Sequence, residues 1–352
     1  MKEIRALTSL RGVAALWVLL FHLELERPVF PTGLRSALAI GRGYVAVDLF
    51  FVLSGFVMAL TYAESFRTRP FAVAYPDFLL RRVARVMPLN AVIVAVLVAI
   101  VWLLPWQADD SFATARDPWA VLANLFLVQD WGLAPSIDKP AWSVSIEMGI
   151  YLLYPFLLAL AWSRGWLLVV LAGVAGLAWV SVTGHGVVSQ GLLAGDIIRG
   201  LAGFTFGLLC FRAHVSSASS KLTAKLEPAV IVLFWALAIW SPTDLSPILA
   251  CPAVVLCLAA ERGPFAWLLG REPFHYLGRI SYSIYLVHYP ILGGANWLPV
   301  GGMARAALAI GLTLLVASAT YYGIELPARR RIARLAGNIA AVRKPVDPVI
   351  VS

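Results

Sequence analysis

Apolar runs long enough to cross a bilayer recur along the chain from Leu7 to Ile324, with no long polar interval between them. A transmembrane helix needs about 20 mainly apolar residues to span a hydrocarbon core of roughly 30 Å. The pattern therefore predicts an all-α, polytopic membrane protein with about ten transmembrane helices around a central polar cavity. The predicted helices cover residues 7–23, 44–62, 88–104, 142–162, 166–182, 191–211, 228–240, 246–260, 276–297 and 303–324, of which the seventh and eighth are short.

The basic residues indicate how these helices are oriented. Lys and Arg concentrate in every second loop, and loops of inner-membrane proteins that retain them lie in the cytoplasm. With the N-terminus inside, the inner loop 63–87 is basic, whereas the longest outer loop, 105–140, contains Asp109, Asp110, Asp117, Asp130 and Asp138. We expect a transmembrane domain at 1–335 and a short basic tail at 336–352, with both termini on the cytoplasmic side of a bacterial inner membrane.

Composition supports a membrane environment and excludes several classes of protein. Hydrophobic residues make up 61% of the chain, charged residues make up 13%, and the mean hydropathy is +0.82; ordinary soluble domains have roughly 45–50% apolar and 25% charged residues. The net charge of +9 is spread over short loops, so we expect a lipid bilayer and no nucleic acid as partner. Cys210, Cys251 and Cys257 fit neither a disulfide framework nor a zinc site, so we expect packing positions and no metal.

Ionisable residues inside the predicted spans form a pattern. Arg11 and His22 are eleven positions apart, which places them within about 20° on one helix face and about 16 Å apart along the axis. Asp48 lies in helix two at the depth of His22. A carboxylate there is expected to hold the imidazole in one tautomer, as a general base requires. The alternatives are a packing role for His22 and helix–helix hydrogen bonding for Asp48.

Helix four carries Ser143, Glu147 and Tyr151 at i, i+4 spacing, so three polar side chains share one face. Glu147 is a candidate catalytic carboxylate, and Tyr151 is a candidate substrate contact. Hydrogen bonding between helices is the alternative for Glu147. In helix two, Ser54 and Gly55 fit a close-packing site better than a nucleophile.

Helix nine carries Tyr285 and His288 on one face, and both are candidate substrate contacts. A packing or hydrogen-bonding role is the alternative for His288. Arg199, inside helix six, is either a substrate contact or an ion-pair partner. Ionisable residues are costly inside a membrane, so each of them needs a partner, a hydrated cavity or a function.

A basic cluster, Arg81, Arg82 and Arg85, lies at the inner mouth of helix three, just before Pro88. Guanidinium groups bind phosphate bidentately, so the cluster predicts a phosphate-bearing ligand. Anchoring at the cytoplasmic surface is the alternative.

Two other functions are compatible with the ionisable residues inside the spans. A proton-coupled transporter or exporter would use the same intramembrane residues. A scaffold subunit of a polysaccharide-assembly complex would tolerate their replacement.

Five motifs occur in order: SLRGVAALWVLLFH, with ten residues between its Arg and His, GYVAVDLFFVLSGF, FLLRRVARVMP, WSVSIEMGIYLLYP and LGRISYSIYLVHYP. The ordered set resembles the acyltransferase 3 family of integral-membrane acyltransferases, many of which O-acetylate bacterial surface polysaccharides. The similarity runs from about Arg5 to Pro327. It implies acyl-CoA, first of all acetyl-CoA, as the cytoplasmic donor and a carbohydrate hydroxyl, for example of an exopolysaccharide or lipopolysaccharide precursor, as the acceptor.

The resemblance also assigns individual residues. It implies that Arg11 and His22 are essential and that Arg82 and Arg85 contact the phosphates of CoA. Three further candidates fall on family positions, namely Asp48, Glu147 and Tyr151. Some family members carry a C-terminal soluble hydrolase-like domain, and we expect this chain to act without one. A polysaccharide-assembly complex and a homo-oligomer remain open as partners.

Together these observations predict a mechanism. CoA places its phosphates on Arg82 and Arg85, and its pantetheine arm carries the thioester past Arg11 through a hydrated passage. His22, oriented by Asp48, then removes a proton from the acceptor hydroxyl, which attacks the thioester. An acyl-histidine intermediate is the alternative.

Overall fold

The computed structural model describes residues 3–103, 114–188, 193–216 and 220–332 of the 352-residue chain. Every regular element in these ranges is a helix, so the all-α prediction is confirmed. Eight helices there are long and apolar enough to cross a membrane. Helices satisfy their backbone hydrogen bonds internally, as hydrocarbon requires. The chain is therefore a polytopic membrane protein.

The α-helices are numbered in chain order: α1 (Arg5–Glu26), α2 (Thr32–Ala37), α3 (Ala46–Thr68), α4 (Phe71–Leu103), α5 (Pro118–Leu125), α6 (Ala141–Trp162), α7 (Trp166–Thr183), α8 (Leu193–Val215), α9 (Ser220–Trp240), α10 (Leu245–Ala259), α11 (Pro264–Leu269), α12 (Phe274–Arg279), α13 (Ser281–Ala295) and α14 (Gly302–Thr320). Four short turns accompany them, three of 3₁₀ type at Ile40–Val45, Thr114–Arg116 and Gln129–Trp131, and one π turn at Tyr321–Glu325. Asp109, Asp110 and the predicted tail at 336–352 lie outside the described residues.

One of the ten predicted spans, the ninth, is shorter than expected. It corresponds to α13, of 15 residues, whereas the eighth, which was predicted to be short, is the 15-residue α10. The ninth was predicted as one helix over 276–297, but it divides at Ile280, whose φ of −91° and ψ of 5° leave the helical range. The division lets Gly278 pack against α1, where an added Cβ would lie 2.1 Å from the carbonyl oxygen of Thr8. The predicted seventh helix, in contrast, is the long α9, of 21 residues.

The inner loop predicted at 63–87 is mostly helical. α3 continues to Thr68, and α4 begins at Phe71 and runs for 33 residues through Pro76 and Pro88. Proline is tolerated inside membrane helices because neighbouring groups satisfy the carbonyl that it frees. The basic cluster predicted at the mouth of this helix consequently lies within it.

The closest helix contact in the bundle joins α3 to α8. A Cβ at Gly55 would lie 1.9 Å from the carbonyl oxygen of Phe204, and one at Gly207 would lie 2.1 Å from that of Val52. Small residues let membrane helices approach until their backbones touch. The expectation that Gly55 is a close-packing position is therefore confirmed. The three cysteines are free and buried, in agreement with their predicted packing role.

We expect the replacement Gly55→Ala to destabilise the folded protein by about 1–3 kcal/mol, because the new methyl group must push α3 away from α8. Thermal unfolding in detergent, followed by size-exclusion chromatography, measures the effect. Gly311→Ala is the matched control, since an added Cβ at this helical glycine meets no heavy atom within 4 Å. Equal melting temperatures for the two variants would contradict the packing argument.

Candidate active site

A cavity of about 750 Å³ runs into the bundle between α1, α3, α4, α6 and α13. Small-molecule sites usually occupy roughly 300–1,000 Å³, so the cavity is large enough for a cofactor-sized ligand. The predicted central polar cavity is confirmed. Its lining at one end includes six arginines, which we call the basic mouth: Arg81, Arg82, Arg85, Arg279, Arg329 and Arg330.

Two of the predicted phosphate ligands are engaged in ion pairs. Arg81 Nε donates to Asp77 at 2.9 Å, and the Arg85 guanidinium lies 3.2 Å from Glu325 in the π turn. Glu325 is fully buried, so its pair with Arg85 fixes the end of α14 against α4. Both guanidinium groups retain further donors, because each has five N–H groups.

Arg82 has aromatic partners and forms no direct ion pair within the described part of the chain. One of its terminal nitrogens donates to the Tyr62 hydroxyl at 2.8 Å. The guanidinium carbon lies 5.2 Å from the ring centre of Tyr62 and 5.9 Å from that of Tyr151. Arg82 Nε is buried without a hydrogen-bond partner there. This arrangement holds a cation at the cavity wall with donor capacity left for an anion.

Arg11 lines the same cavity about two turns of α1 beyond Glu3. Its guanidinium forms no ion pair or side-chain hydrogen bond within the described residues, and the carboxylates of Glu147 and Glu325 act on it only from farther away. A charge inside a membrane bundle without a counter-ion is costly, unless water or an anionic ligand reaches it. Arg11 therefore marks a position in the cavity that suits a negative group.

The polar face of α6 borders the cavity as predicted. Glu147 accepts a hydrogen bond from the Ser54 hydroxyl of α3, and Tyr151 follows one turn later. Ser143, one turn earlier, lies 2.7 Å from the hydroxyl of Tyr285 on α13. Four of the predicted polar residues thus line the cavity on the facing helices α6 and α13: Ser143, Glu147, Tyr151 and Tyr285.

His22 and His288 contact each other, and we call them the histidine pair. His22 Nδ1 lies 3.1 Å from His288 Nε2 and 3.1 Å from the carbonyl oxygen of Val18. His288 Nδ1 lies 3.2 Å from the carbonyl oxygen of Ile284. A carbonyl oxygen only accepts, so His288 carries its proton on Nδ1, and its bare Nε2 accepts from Nδ1–H of His22. With both rings neutral, Nε2 of His22 is left without a proton.

The predicted contact between Asp48 and His22 is wrong. Both oxygens of Asp48 are bound by Arg199, at 2.8 and 3.0 Å, and both side chains are buried. Arg199 also lies 3.3 Å from Asp196 and 5.3 Å from the ring centre of Trp142. A bidentate guanidinium satisfies a buried carboxylate better than one imidazole N–H can. Arg199 is thus an ion-pair partner, and it does not line the cavity.

The cavity ends before it reaches the histidine pair, so the continuous passage that was predicted is interrupted. Neither histidine lines it. Three residues of its lining contact one another near His288, namely Phe50, Ser143 and Tyr285, and we call them the constriction. The Tyr285 ring centre lies 5.6 Å from that of Phe50 and 6.1 Å from that of His288. Tyr285 therefore connects the lining of the cavity with His288 of the histidine pair.

The comparisons with known proteins agree with this geometry. The family model described as an acyltransferase domain matches residues 4–322. The chain belongs to the acyltransferase 3 family. It is 26% identical to the peptidoglycan O-acetyltransferase OatA of Listeria monocytogenes, over 94% of this chain and 56% of that protein. It is 24% identical to the O-acetyltransferase OatA of Staphylococcus aureus, over 94% and 58%, and to the putative peptidoglycan O-acetyltransferase YrhL of Bacillus subtilis, over 93% and 55%.

This acyltransferase 3 chain spans less than two thirds of the length of these relatives. No solved structure matches it. Within the described residues, no group of three or more His, Cys, Asp or Glu side chains is placed to hold a metal ion.

Several residues of this acyltransferase 3 site were not among the sequence candidates. Tyr62, Glu325 and Phe50 sit in apolar or aromatic stretches, where only partners from distant helices distinguish them. Asp138 was noted only as a loop acid. It is fully buried just before α6, neither carboxylate oxygen has a partner in the described chain, and burial raises its pKa well above the usual range. It interacts electrostatically with Tyr285, so this acid lies near the constriction.

Proposed function

We propose that this chain transfers an acyl group, acetyl first of all, from acyl-CoA to a hydroxyl group of a carbohydrate. The observation that carries the proposal is the cavity, which joins the basic mouth to Tyr285, whose ring centre lies 6.1 Å from that of His288 in the histidine pair. Family membership and relatives named O-acetyltransferases support the type of reaction. The relatives from Listeria monocytogenes and Bacillus subtilis are named as peptidoglycan O-acetyltransferases, the latter as a putative one. For this chain the proposed acceptor is a carbohydrate of the cell surface.

The donor's phosphates fit the basic mouth, because its arginines offer bidentate N–H pairs in a partly enclosed space. Arg82 Nε has no hydrogen-bond partner in the described chain, and the Arg11 guanidinium forms no ion pair there, since Glu147 and Glu325 act on it only from farther away. Arg11 and His22 are separated by about 16 Å along α1, so they cannot bind the same carbonyl group. We propose that Arg11 contacts the anionic or carbonyl groups of the pantetheine arm of the donor, and that His22 lies next to its thioester.

The chemical step follows from the tautomer of His22. Its Nε2 removes the proton of the acceptor hydroxyl, and the oxygen attacks the thioester carbonyl carbon. The carbon–oxygen bond forms, the carbon–sulfur bond breaks, and the leaving thiolate takes up the proton held by His22. His288 is a positioning residue, since it keeps the other nitrogen of His22 protonated. The hydrogen bond between Ser143 and Tyr285 must open for the thioester to reach the histidine.

The proposed orientation places the basic mouth in the cytoplasm of a bacterium, where acyl-CoA is found, and the histidine pair toward the outside. Acyl transfer would then cross the inner membrane although the donor does not. Both termini, including the tail at 336–352, would be cytoplasmic. A homo-oligomer or a polysaccharide-assembly complex is compatible with this arrangement.

Purified protein in proteoliposomes tests the proposal. We expect acetyl-CoA-dependent release of free thiol together with a carbohydrate that gains one acetyl group. Acceptor flux without consumption of acetyl-CoA would instead indicate a carrier. Absence of thiol release from a correctly inserted protein, with peptidoglycan fragments and lipid-linked sugars both offered, would contradict the proposal.

Arg11→Gln is expected to raise the KM for acetyl-CoA by roughly 10- to 100-fold, because a charge-assisted hydrogen bond contributes about 1.5–3 kcal/mol. Initial rates of thiol release measure this change. Arg67→Gln is the matched control: Arg67 lies at the same end of the bundle, is exposed, and among the described residues pairs with Glu64 alone. If the two variants shift KM equally, Arg11 has no role in donor binding.

A further inference from the structure

A second, small cleft lies between the ends of α1, α13 and α14 that are opposite the basic mouth, and we call it the outer cleft. Its enclosed volume is about 20 Å³, which accommodates one water-sized group and no sugar ring. Its polar lining consists of Glu26, Arg27, Asn296 and Arg305, and its other lining residues are apolar. Two of these four polar side chains are guanidinium groups.

The two arginines of the outer cleft form no ion pair within the described residues. Arg305 donates from a terminal nitrogen to the carbonyl oxygen of Val300 at 2.7 Å, and its Nε is buried without a partner there. Arg27 is exposed and forms neither an ion pair nor a side-chain hydrogen bond with a described residue. Both guanidinium groups therefore keep N–H donors for a ligand.

The acidic side chains at this end of α1 have other partners. Glu26 accepts a hydrogen bond from the Asn296 amide at 3.0 Å. Glu24 accepts from two backbone N–H groups and lies 3.4 Å from Arg35. Of these two acids only Glu26 lines the outer cleft, so the two arginines leave the cleft with a net positive charge.

Arg305 occupies an unfavourable position for a cation. It lies in the first turn of α14, where the helix dipole is positive and no acidic residue is present. A partly buried guanidinium in such a position is costly unless an anion compensates its charge. Guanidinium groups bind the paired oxygens of carboxylate and phosphate bidentately. The outer cleft therefore suits one carboxylate or phosphate group.

The outer cleft lies beside the histidine pair. Glu26 is one turn beyond His22 on α1, and Leu292 is one turn beyond His288 on α13, so each lies about 6 Å farther along its helix on nearly the same face. Tyr289 connects the two places, because its ring centre lies 5.7 Å from that of His22 and its hydroxyl interacts electrostatically with Glu26. A ligand held in the cleft therefore extends toward His22 within the length of one sugar unit.

We propose that the outer cleft binds the carboxylate or phosphate group of an anionic carbohydrate acceptor, with Arg27 and Arg305 as its ligands. This inference rests on the proposed function, because it concerns the acceptor of that same reaction. The sugar ring stays outside the enclosed volume and presents its hydroxyl group to Nε2 of His22. A lipid phosphate is the competing occupant, but the buried Nε of Arg305 and the place of the cleft beside the histidine pair favour the acceptor.

The kinetic test offers two acceptors to the complete chain in proteoliposomes with acetyl-CoA: an oligosaccharide that contains glucuronic acid, and the same oligosaccharide with its carboxylates reduced to alcohols. The wild-type protein is expected to have a KM at least about 10-fold lower for the charged acceptor. Arg27→Gln and Arg305→Gln should each raise this KM by roughly 10- to 100-fold, while kcat and the KM for acetyl-CoA stay unchanged. Arg116→Gln is the matched control, because Arg116 is exposed in the predicted outer loop and does not line the cleft.

Direct binding separates this inference from the proposed function. Isothermal titration of the purified protein with the charged oligosaccharide requires no turnover, and both arginine variants should weaken binding by at least about 10-fold. Such binding without any thiol release would remove the proposed function and leave the cleft as an anion site. If Arg305→Gln does not insert, Arg27→Gln decides the matter, since the exposed Arg27 side chain does not support the fold.

Two results would overturn the inference while the proposed function stands. The first is acetyl transfer with equal KM values for the charged and the reduced acceptor. The second is a melting temperature that phosphatidylglycerol raises in the wild-type protein but not in the arginine variants, together with no binding of the charged oligosaccharide. That second result would assign the outer cleft to a lipid phosphate.

Discussion

Replacing His22 by Ala or Asn is expected to lower kcat for acetyl transfer by about 10²–10⁴-fold while the protein remains inserted and folded. A positioned general base contributes a factor of this size, and neither replacement offers a basic nitrogen in the membrane interior. The measurement is thiol release at saturating acetyl-CoA, with detergent melting curves to confirm folding. His185→Asn is the matched control: His185 is an exposed turn residue with a φ of 52°, a conformation that Asn tolerates.

Variants of His288 separate positioning from catalysis. His288→Gln retains an oxygen that can accept from Nδ1–H of His22, whereas His288→Ala does not. We expect the Ala variant to lose more activity than the Gln variant, mainly in kcat, with the KM for acetyl-CoA unchanged. Equal losses in both variants would mean that His288 does not set the tautomer of His22. Full activity of His22→Ala would contradict the entire mechanism, including the version with an acylated histidine.

The second large effect is expected at Asp48, and it concerns stability. Asp48→Leu leaves the Arg199 guanidinium buried with Asp196 as its remaining ion-pair partner among the described residues, and breaking a buried ion pair costs roughly 3–5 kcal/mol. We expect a large drop in melting temperature and in the yield of inserted protein. The double replacement Asp48→Leu with Arg199→Leu should recover part of the loss, because the fully buried charge of Arg199 is removed and only the less buried Asp196 loses its partner.

A double-mutant cycle on melting data measures the coupling between Asp48 and Arg199. The exposed pair of Glu64 and Arg67 is the control, and Glu64→Gln should leave melting unchanged. If Asp48 oriented His22 instead, Asp48→Asn would abolish turnover without affecting stability, and Arg199→Leu would not rescue Asp48→Leu. That pattern would support the predicted role of Asp48 in orienting His22, which the contacts of Asp48 with Arg199 contradict.

The candidate site was predictable wherever its geometry is local to one helix. The α-helix fixes the angle between residues, so Ser143, Glu147 and Tyr151 share a face whatever surrounds them. The same rule placed Arg11 and His22 along one side of α1. Contacts between helices were predicted less well: Asp48 was assigned to His22, and Tyr62, Glu325 and Phe50 were not identified.

The sequence alone determined the membrane-spanning helical class, the polar interior and the family resemblance, because hydrocarbon accepts only long apolar helices and each costly polar residue stands out within them. Only the tertiary structure decided which polar groups meet. The depth of a side chain in the bilayer follows from its position along a helix. The depth does not determine which helix packs beside it, or how the helix is rotated about its own axis. Asp48 and His22 lie at similar depths, yet Asp48 binds Arg199 and His22 binds His288, because packing turns the two side chains toward different helices.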